Sequence, residues 1–208
     1  MAGRPGKGGI RIVILVEGKT EKAFKPVLVS FLEQRLAGKM PKLRFCPYDG
    51  RIPMREKLRR VVENHLAESD AVIALTDVYT GGKDFTDAAD AKTKMKEWVG
   101  DVPGFHPHVA QHDFEAWLLP FWRTIMKLSG ADLKSPSGPP EQVNHGNPPA
   151  NRIKAVFEAR KSRESYQKPR DGLRILRDND LLTAAQACPE LKSFLNTILD
   201  LCDGELIA

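Results

Sequence analysis

The stretch Ile10-Arg-Ile-Val-Ile-Leu-Val-Glu-Gly-Lys-Thr-Glu21 decides the fold. An apolar, β-branched run that stops abruptly at Glu17-Gly18 reads as a buried strand delivering a charged residue to the carboxyl edge of a sheet. Glu17 is that residue. Gly18 permits a tight turn, Thr20 is placed to cap the helix that follows, and Glu21, four positions after Glu17, brings a second carboxylate toward the same site. Gly18-Lys19-Thr20 also matches the tail of a phosphate-binding P-loop. That loop needs a glycine where Val13 stands, so it is excluded, and an acidic strand end suits a divalent cation better than a bare phosphate.

Working outward, Glu21 to Leu36 carries Phe24, Val27, Leu28, Phe31 and Leu32 at helical spacing, with Pro26 expected in the first turns. Lys42 to Tyr48 reads as a short second strand, and Arg51 to Ala67 as an amphipathic helix with a basic outer face. Ala71 to Leu75 repeats the opening construction, a short buried strand running into Thr76-Asp77. A polar loop with Gly81-Gly82 and a helix from about Ala88 to Val99 follow. His106 to Gln111 is strand-like and leads into His112-Asp113-Phe114-Glu115 and an apolar helix, Ala116 to Leu128. Strands alternating with helices predict an α/β fold with a mostly parallel sheet flanked by helices, whose ligands gather at the carboxyl ends of the strands. Glu17, Asp77, Asp113 and Glu115 all fall at such ends.

Beyond this unit, Asp132 to Ala150 shifts to Pro, Gly, Ser and Asn and reads as a long irregular loop. Residues 151–180 hold nine Lys/Arg against five Asp/Glu, and Leu181 to Leu201 reads as one or two short helices broken at Pro189. The expected organisation is a flexible leader over 1–9, an α/β domain over 10–130, and a Pro-rich loop with a basic helical extension over 131–208, packed on the same domain.

With 208 residues and 41% hydrophobic content the chain is long enough for one substantial core. No run approaches the eighteen or so apolar residues of a membrane span, and Met1 to Gly9 lacks the apolar region of a secretion signal, so a cytoplasmic location is expected. Cys46, Cys188 and Cys202 are widely spaced without a CxxC pair and read as reduced, partly buried thiols. A net charge of +5 with pI near 9.1 fits an anionic partner.

These residues resemble the Toprim fold shared by topoisomerases, primases and the overcoming-lysogenization-defect nucleases. Val16-Glu17-Gly18-Lys19-Thr20-Glu21 matches the Glu-Gly-x-x-(Glu/Asp) setting after the first strand. Leu75-Thr76-Asp77-Val78-Tyr79 departs from the second motif, Asp-x-Asp, because Tyr79 stands where the second aspartate is expected. That departure resembles a narrower Toprim-like bacterial family, domain of unknown function 4276. The similarity rests on Asp77-Val78-Tyr79-Thr80-Gly81, Gln111-His112-Asp113-Phe114-Glu115-Ala116, Asn147-Pro148-Pro149 and Cys188-Pro189-Glu190-Leu191, in that order from Ile10 to Leu199.

The resemblance implies a divalent-metal-dependent nuclease, often encoded beside an ATPase in defence-type operons. Hydrolysis by two ions about 3.5 to 4 Å apart needs several converging carboxylates. Glu17, Glu21, Asp77, Asp113 and Glu115 are the expected ligands of Mg²⁺ or Mn²⁺, with Lys19 facing the scissile phosphate alongside Glu17 and Asp77 as catalytic residues. Lys154, Arg160, Lys161, Arg163, Lys168 and Arg170 are the expected nucleic-acid-binding residues, with DNA favoured over RNA. An ATPase partner and a homodimer are further expectations. Other roles stay open: Glu21 and Glu115 as helix-start acids, Asp113 as an N-cap, and His112 as a ligand, proton carrier or structural histidine. Tyr79 either contacts a nucleotide or packs, His106 and His108 are placed at a strand end or the surface, and Trp98, Trp117 and Trp122 in the core. The Asp-x-Tyr departure also leaves open a non-catalytic nucleic-acid-binding or regulatory subunit, or transfer chemistry on another phosphoester.

Overall fold

In a computed structural model, which describes residues 9–48, 50–78, 84–143, 147–159 and 165–208, strand β1 (Arg11–Val16) is buried at every position after the first. It lies inside a four-stranded parallel sheet of order β2-β1-β3-β4, with β2 at Lys42–Pro47, β3 at Ala71–Val78 and β4 at Phe105–Gln111. The fold is thus α/β with a parallel sheet flanked by helices, as expected. Tyr79, Gly81, Gly82, Arg160, Lys161 and Arg163 lie outside the described residues, as do 1–8 of the expected leader.

The side-chain period of a strand sends alternate residues to opposite faces. Ile12, Ile14 and Val16 meet helix α1 (Lys19–Glu33), while Val13 and Leu15 meet α2 (Glu56–Leu66) and α3 (Ala88–Val99). Helices cover both faces, which is why β3 reads as a continuous buried run rather than an alternating one. The α1 side is completed by a 3-10 helix (Phe114–Phe121) and by α4 (Trp122–Ser129), α5 (Pro149–Glu158), α6 (Lys168–Arg177), α7 (Leu181–Ala187) and α8 (Pro189–Leu201). Ile125, Ile153, Ile175, Ala184 and Phe194 from these helices join Ile12 and Ile14 in one apolar cluster, so the C-terminal helices and the sheet share a core. Trp117 sits among Phe24, Phe114 and Phe194.

Register fixes where the acids emerge. Val16 is opposite Leu75, which sets Glu17 level with Thr76, and Asp77 is opposite Ala110 near the end of β4.

Several local expectations are corrected. β3 extends to Val78, so Asp77 lies within the strand and not beyond it. Thr20 does not cap α1: Gly18 holds the cap position with no side-chain bond. Counting from Lys19, Pro26 is the eighth residue of α1 and lies past its first turn. The helix expected from Arg51 starts at Glu56, because Pro53 disfavours helical backbone at Ile52 and Arg55 turns with φ 53°. The apolar helix expected from Ala116 is a 3-10 helix followed by α4. Pro120 has no N–H and would collide with the preceding turn of an α-helix, so regular helix resumes only at Trp122. His108 is not at the surface: it is buried within β4 against Phe194 of α8. Of the three tryptophans Trp117 is buried, whereas Trp98 and Trp122 are half-buried on the rims of the two clusters. Pro189 does break the last helical segment, with Cys188 between α7 and α8.

Ile14 is fully buried between β1's neighbours and α1. Ile14→Ala is expected to lower the unfolding free energy by about 2–5 kcal/mol in chemical denaturation. Leu133→Ala, at a residue 46% exposed, is expected to change it by less than about 0.5 kcal/mol. Equal losses at the two positions would contradict this packing.

Candidate active site

Five carboxylates meet at the carboxyl edge of the sheet. Glu17 follows β1, Glu21 lies in the first turn of α1, Asp77 ends the acidic part of β3, and Asp113 and Glu115 begin the 3-10 helix after β4. Each is between 1% and 7% exposed. Gly18 has extended backbone, with φ −149°, that any residue adopts, so its turn does not require glycine. A Cβ at position 18 would come within 3.3 Å of a Glu21 carboxylate oxygen, so the end of that side chain would have to shift by a few tenths of an ångström.

The backbone presents Asp113 and Glu115 through a sharp turn. His112 adopts φ 70°, a left-handed conformation uncommon for a residue with a side chain, and the chain passes from β4 into the 3-10 helix there. Burial lowers the His112 pKa, which favours the neutral ring. Backbone strain of this kind concentrates at functional sites.

The polar partners described for these acids come from Thr76, Asp77, Ala150 and Lys168. The Thr76 hydroxyl donates to Glu17 Oε1, and the Asp77 N–H reaches the same oxygen at 3.3 Å. Asp113 occupies the cap position of the 3-10 helix but makes no cap bond there. Its Oδ2 instead accepts from the Ala150 N–H in the first turn of α5, at 3.1 Å. Glu115 Oε2 accepts from Lys168 Nζ at 3.2 Å. Among the described residues, Asp113 Oδ1 and Glu115 Oε1 are buried without a hydrogen-bond partner. Buried polar atoms are nearly always satisfied, and orphaned carboxylate oxygens are what a hard cation would complete.

Electrostatics tie the acids into one group. Burial first, then Glu17, Glu21, Asp113 and Glu115, push the Asp77 pKa well above the carboxylate range. Burial also raises Glu21, with Glu115 and Glu17 adding to it. Asp113 is raised to about 7 by burial and by Glu115, with the Ala150 N–H and Lys168 opposing. Lys168 is the cation that acts on Glu21, Asp113 and Asp77 alike. Burial disfavours its charge, but Glu115 and Asp113 outweigh that and raise its pKa. Tyr166 lies beside Glu115 and Asp113 with its hydroxyl buried, and burial followed by Glu115 raises its pKa.

The fit to a divalent ion is one of chemistry more than of finished geometry. All five donors are hard oxygens suited to Mg²⁺ or Mn²⁺. Among the described residues, however, no three His, Cys, Asp or Glu side chains already form an ion-ready group. Glu17 Oε1 is turned to Thr76 and Glu115 Oε2 to Lys168, which leaves Glu115 Oε1 and Asp113 Oδ1 as the oxygens without a described partner.

The other expected residues fall as follows. Lys19 is exposed at the start of α1, and Lys154 is exposed on α5, 3.7 Å from Glu158. Arg170 forks onto buried Asp171 with contacts of 2.9 and 3.1 Å. Lys168, expected on a nucleic-acid-binding face, has half its side chain exposed but its ammonium directed into the acidic site. No spacing in the sequence marks Lys168 or Tyr166 as neighbours of the acids. Their place follows from α6 packing on α1, which brings Gly172 close to Thr20 and to the Tyr166 hydroxyl.

The Asp113 shift has a sign that can be tested without a bound metal. Below about pH 4 the carboxyl is protonated in folded and unfolded chains alike. Between there and about pH 7 the folded protein retains a proton that the unfolded chain releases, so stability falls as pH rises. In EDTA the wild type is expected to melt lower at alkaline than at mildly acidic pH, and Asp113→Asn to flatten that slope and gain on the order of a few kcal/mol above pH 7. Thermal melts across this range check it; a variant with the wild-type slope contradicts it.

Comparison with known proteins agrees with this architecture. No curated protein matches the chain. Among solved structures, the C-terminal region of the Burkholderia pseudomallei OLD protein superposes with a TM-score of 0.55 at 14% identity, covering 94% of this chain and 100% of that one. At that identity the likeness is one of fold. The family described as Domain of unknown function (DUF4276) matches residues 16–199, from the last residue of β1 into α8, and the chain belongs to it.

Proposed function

We propose that this protein is a divalent-metal-dependent Toprim-type nuclease that hydrolyses or nicks nucleic-acid phosphodiesters. The observation that supports the reading best is the convergence of five buried carboxylates, two with orphaned oxygens, at the carboxyl edge of a parallel sheet. So much buried negative charge is costly unless a cation shares the site. Glu17, Glu21, Asp77, Asp113 and Glu115 would hold Mg²⁺ or Mn²⁺, which when bound would activate water and stabilise the leaving oxygen. Lys168 holds Glu115 in place and offers positive charge to an incoming phosphate. Lys19, exposed on the rim beside Glu17, and Lys154 on α5 extend that charge outward, while Asp171 fixes the Arg170 guanidinium on α6. We take DNA as the favoured substrate, an ATPase as the working partner in a bacterial defence-type system, a homodimer as an assembly to test, and the cytoplasm as the location. No helix among the described residues is long and apolar enough to cross a membrane.

A second reading, a non-catalytic nucleic-acid-binding or regulatory subunit, is favoured by one feature. Glu17 is held by Thr76 and the acids do not form an ion-ready group as they stand.

Purified protein incubated with supercoiled plasmid and with single-stranded RNA, in Mg²⁺ or Mn²⁺ against EDTA, separates the two. Metal-dependent cleavage is expected, falling at least about 100-fold in folded Glu17→Gln and Asp77→Asn, the scale of losing one group that stabilises reaction charge. Binding that tolerates both EDTA and the two substitutions, with no cleavage even when the ATPase is added, would establish the second reading instead.

A further inference from the structure

A separate polar groove of about 490 Å³ runs along the free edge of β4, between α3 and α8. Its walls carry Lys92, Lys96, His106, His108, Ser193 and Thr197. The acidic site is elsewhere. His106 stands four residues before Ala110, the partner of Asp77, which at the rise of a strand is about 13 Å along the sheet.

The edge is closed to another strand. The Val72 N–H bonds to the Gly104 carbonyl, so alternation in a parallel ladder turns His106 and His108 backbone groups toward β3 and those of Phe105 and Pro107 outward. Pro107 has no N–H to offer there, which suits an edge strand and leaves recognition to side chains.

Those side chains are short of partners. His108 is 4% exposed, with Nε2 held by the Thr197 hydroxyl at 2.9 Å and Nδ1 without a hydrogen bond. His106 Nε2 is also buried and unpartnered. Lys92 is bonded twice to Glu190, at 2.8 and 2.9 Å, whereas among the described residues Lys96 has no ion pair. The charges acting on His108 are all positive, from Lys92, His106 and Lys96, and after burial itself they lower its pKa to about 3. On His106, Asp200 opposes burial and Lys96 adds to it. A neutral His108 that accepts the Thr197 proton at Nε2 carries its own proton on Nδ1, a donor with nothing to donate to. Lysine, histidine N–H and hydroxyl donors around one groove match the oxygens of a phosphate.

We propose that this groove is an oxyanion site that binds a phosphate group. Two sources share that chemistry: a free phosphate or phosphomonoester, and a backbone phosphate of a nucleic-acid strand that also reaches the acidic edge. The site is tested by calorimetric titration of the full chain with inorganic phosphate in EDTA, so no cleavage is involved. Saturable binding is expected, weakened about tenfold or more by Lys96→Ala and by His106→Gln, the scale of one lost charged or hydrogen-bonded contact. Lys39→Ala, at an exposed residue before β2, is expected to leave it unchanged. The same variants titrated with a mononucleotide and with a short single-stranded oligonucleotide distinguish the sources. Weakening of both assigns the site to the strand backbone, and weakening of the mononucleotide alone assigns it to a free phosphoester. Absence of saturable phosphate binding, or equal affinity in wild type, Lys96→Ala and His106→Gln, would overturn the proposal.

Discussion

Carboxylates withdrawn from water at the end of a parallel sheet are the constraint on which the rest of this structure turns. A sheet covered on both faces buries whatever its strands deliver at their carboxyl ends. Glu17 and Asp77 are delivered that way, and Glu21, Asp113 and Glu115 are brought against them. Each buried charge demands hydrogen bonds or an opposite charge. The partners come from far along the chain: a hydroxyl from Thr76, an N–H from Ala150 at the start of α5, and an ammonium from Lys168 at the start of α6. The C-terminal helices therefore do two jobs. Their apolar faces complete the core over Ile12 and Ile14, and their N-terminal turns supply the groups that face the acids.

The sequence makes the framework legible for a physical reason. Apolar runs ending in an acid, as in Ile10 to Glu17 and Ala71 to Asp77, carry both the strand and its carboxyl end in one local pattern. Asp113 and Glu115 follow β4 in the same manner. What depends on distant contacts is not written locally. The inward turn of Lys168 comes from α6 lying on α1, and in the sequence it is one basic residue among nine in a basic segment. The burial of His108 needs α8 to cover β4, so proline on one side and polar neighbours suggest a surface residue instead. Pro120 is visible in the sequence, but its effect, a 3-10 helix where an α-helix is expected, requires weighing a lost hydrogen bond against an apolar period that continues through it. Gly18 illustrates the converse. The residue stands out in the motif, yet its backbone is extended and needs no special angle, and its close neighbour is the Glu21 carboxylate.

The arrangement of charges sets the two functional readings apart. In a purely structural acidic edge, the cheapest condition is protonation, and the raised pKa values of Asp77, Glu21 and Asp113 go in that direction. In a catalytic edge, a divalent ion would take the place of those protons, with Lys168 still on Glu115 Oε2. Proton and metal would compete for the same oxygens, so the electrostatics that strain the site without an ion are the ones that would give an ion its affinity.

Binding of Mn²⁺ at about pH 8, followed by electron paramagnetic resonance and by the shift in unfolding it produces, tests this account most directly. Saturable binding is predicted, with stabilisation of about 2.7 kcal/mol when free ion exceeds the dissociation constant a hundredfold, and with both signals lost in Asp77→Asn. Mn²⁺ that stays in solution and leaves the melting curve unmoved would contradict the claim that these five carboxylates form a metal site.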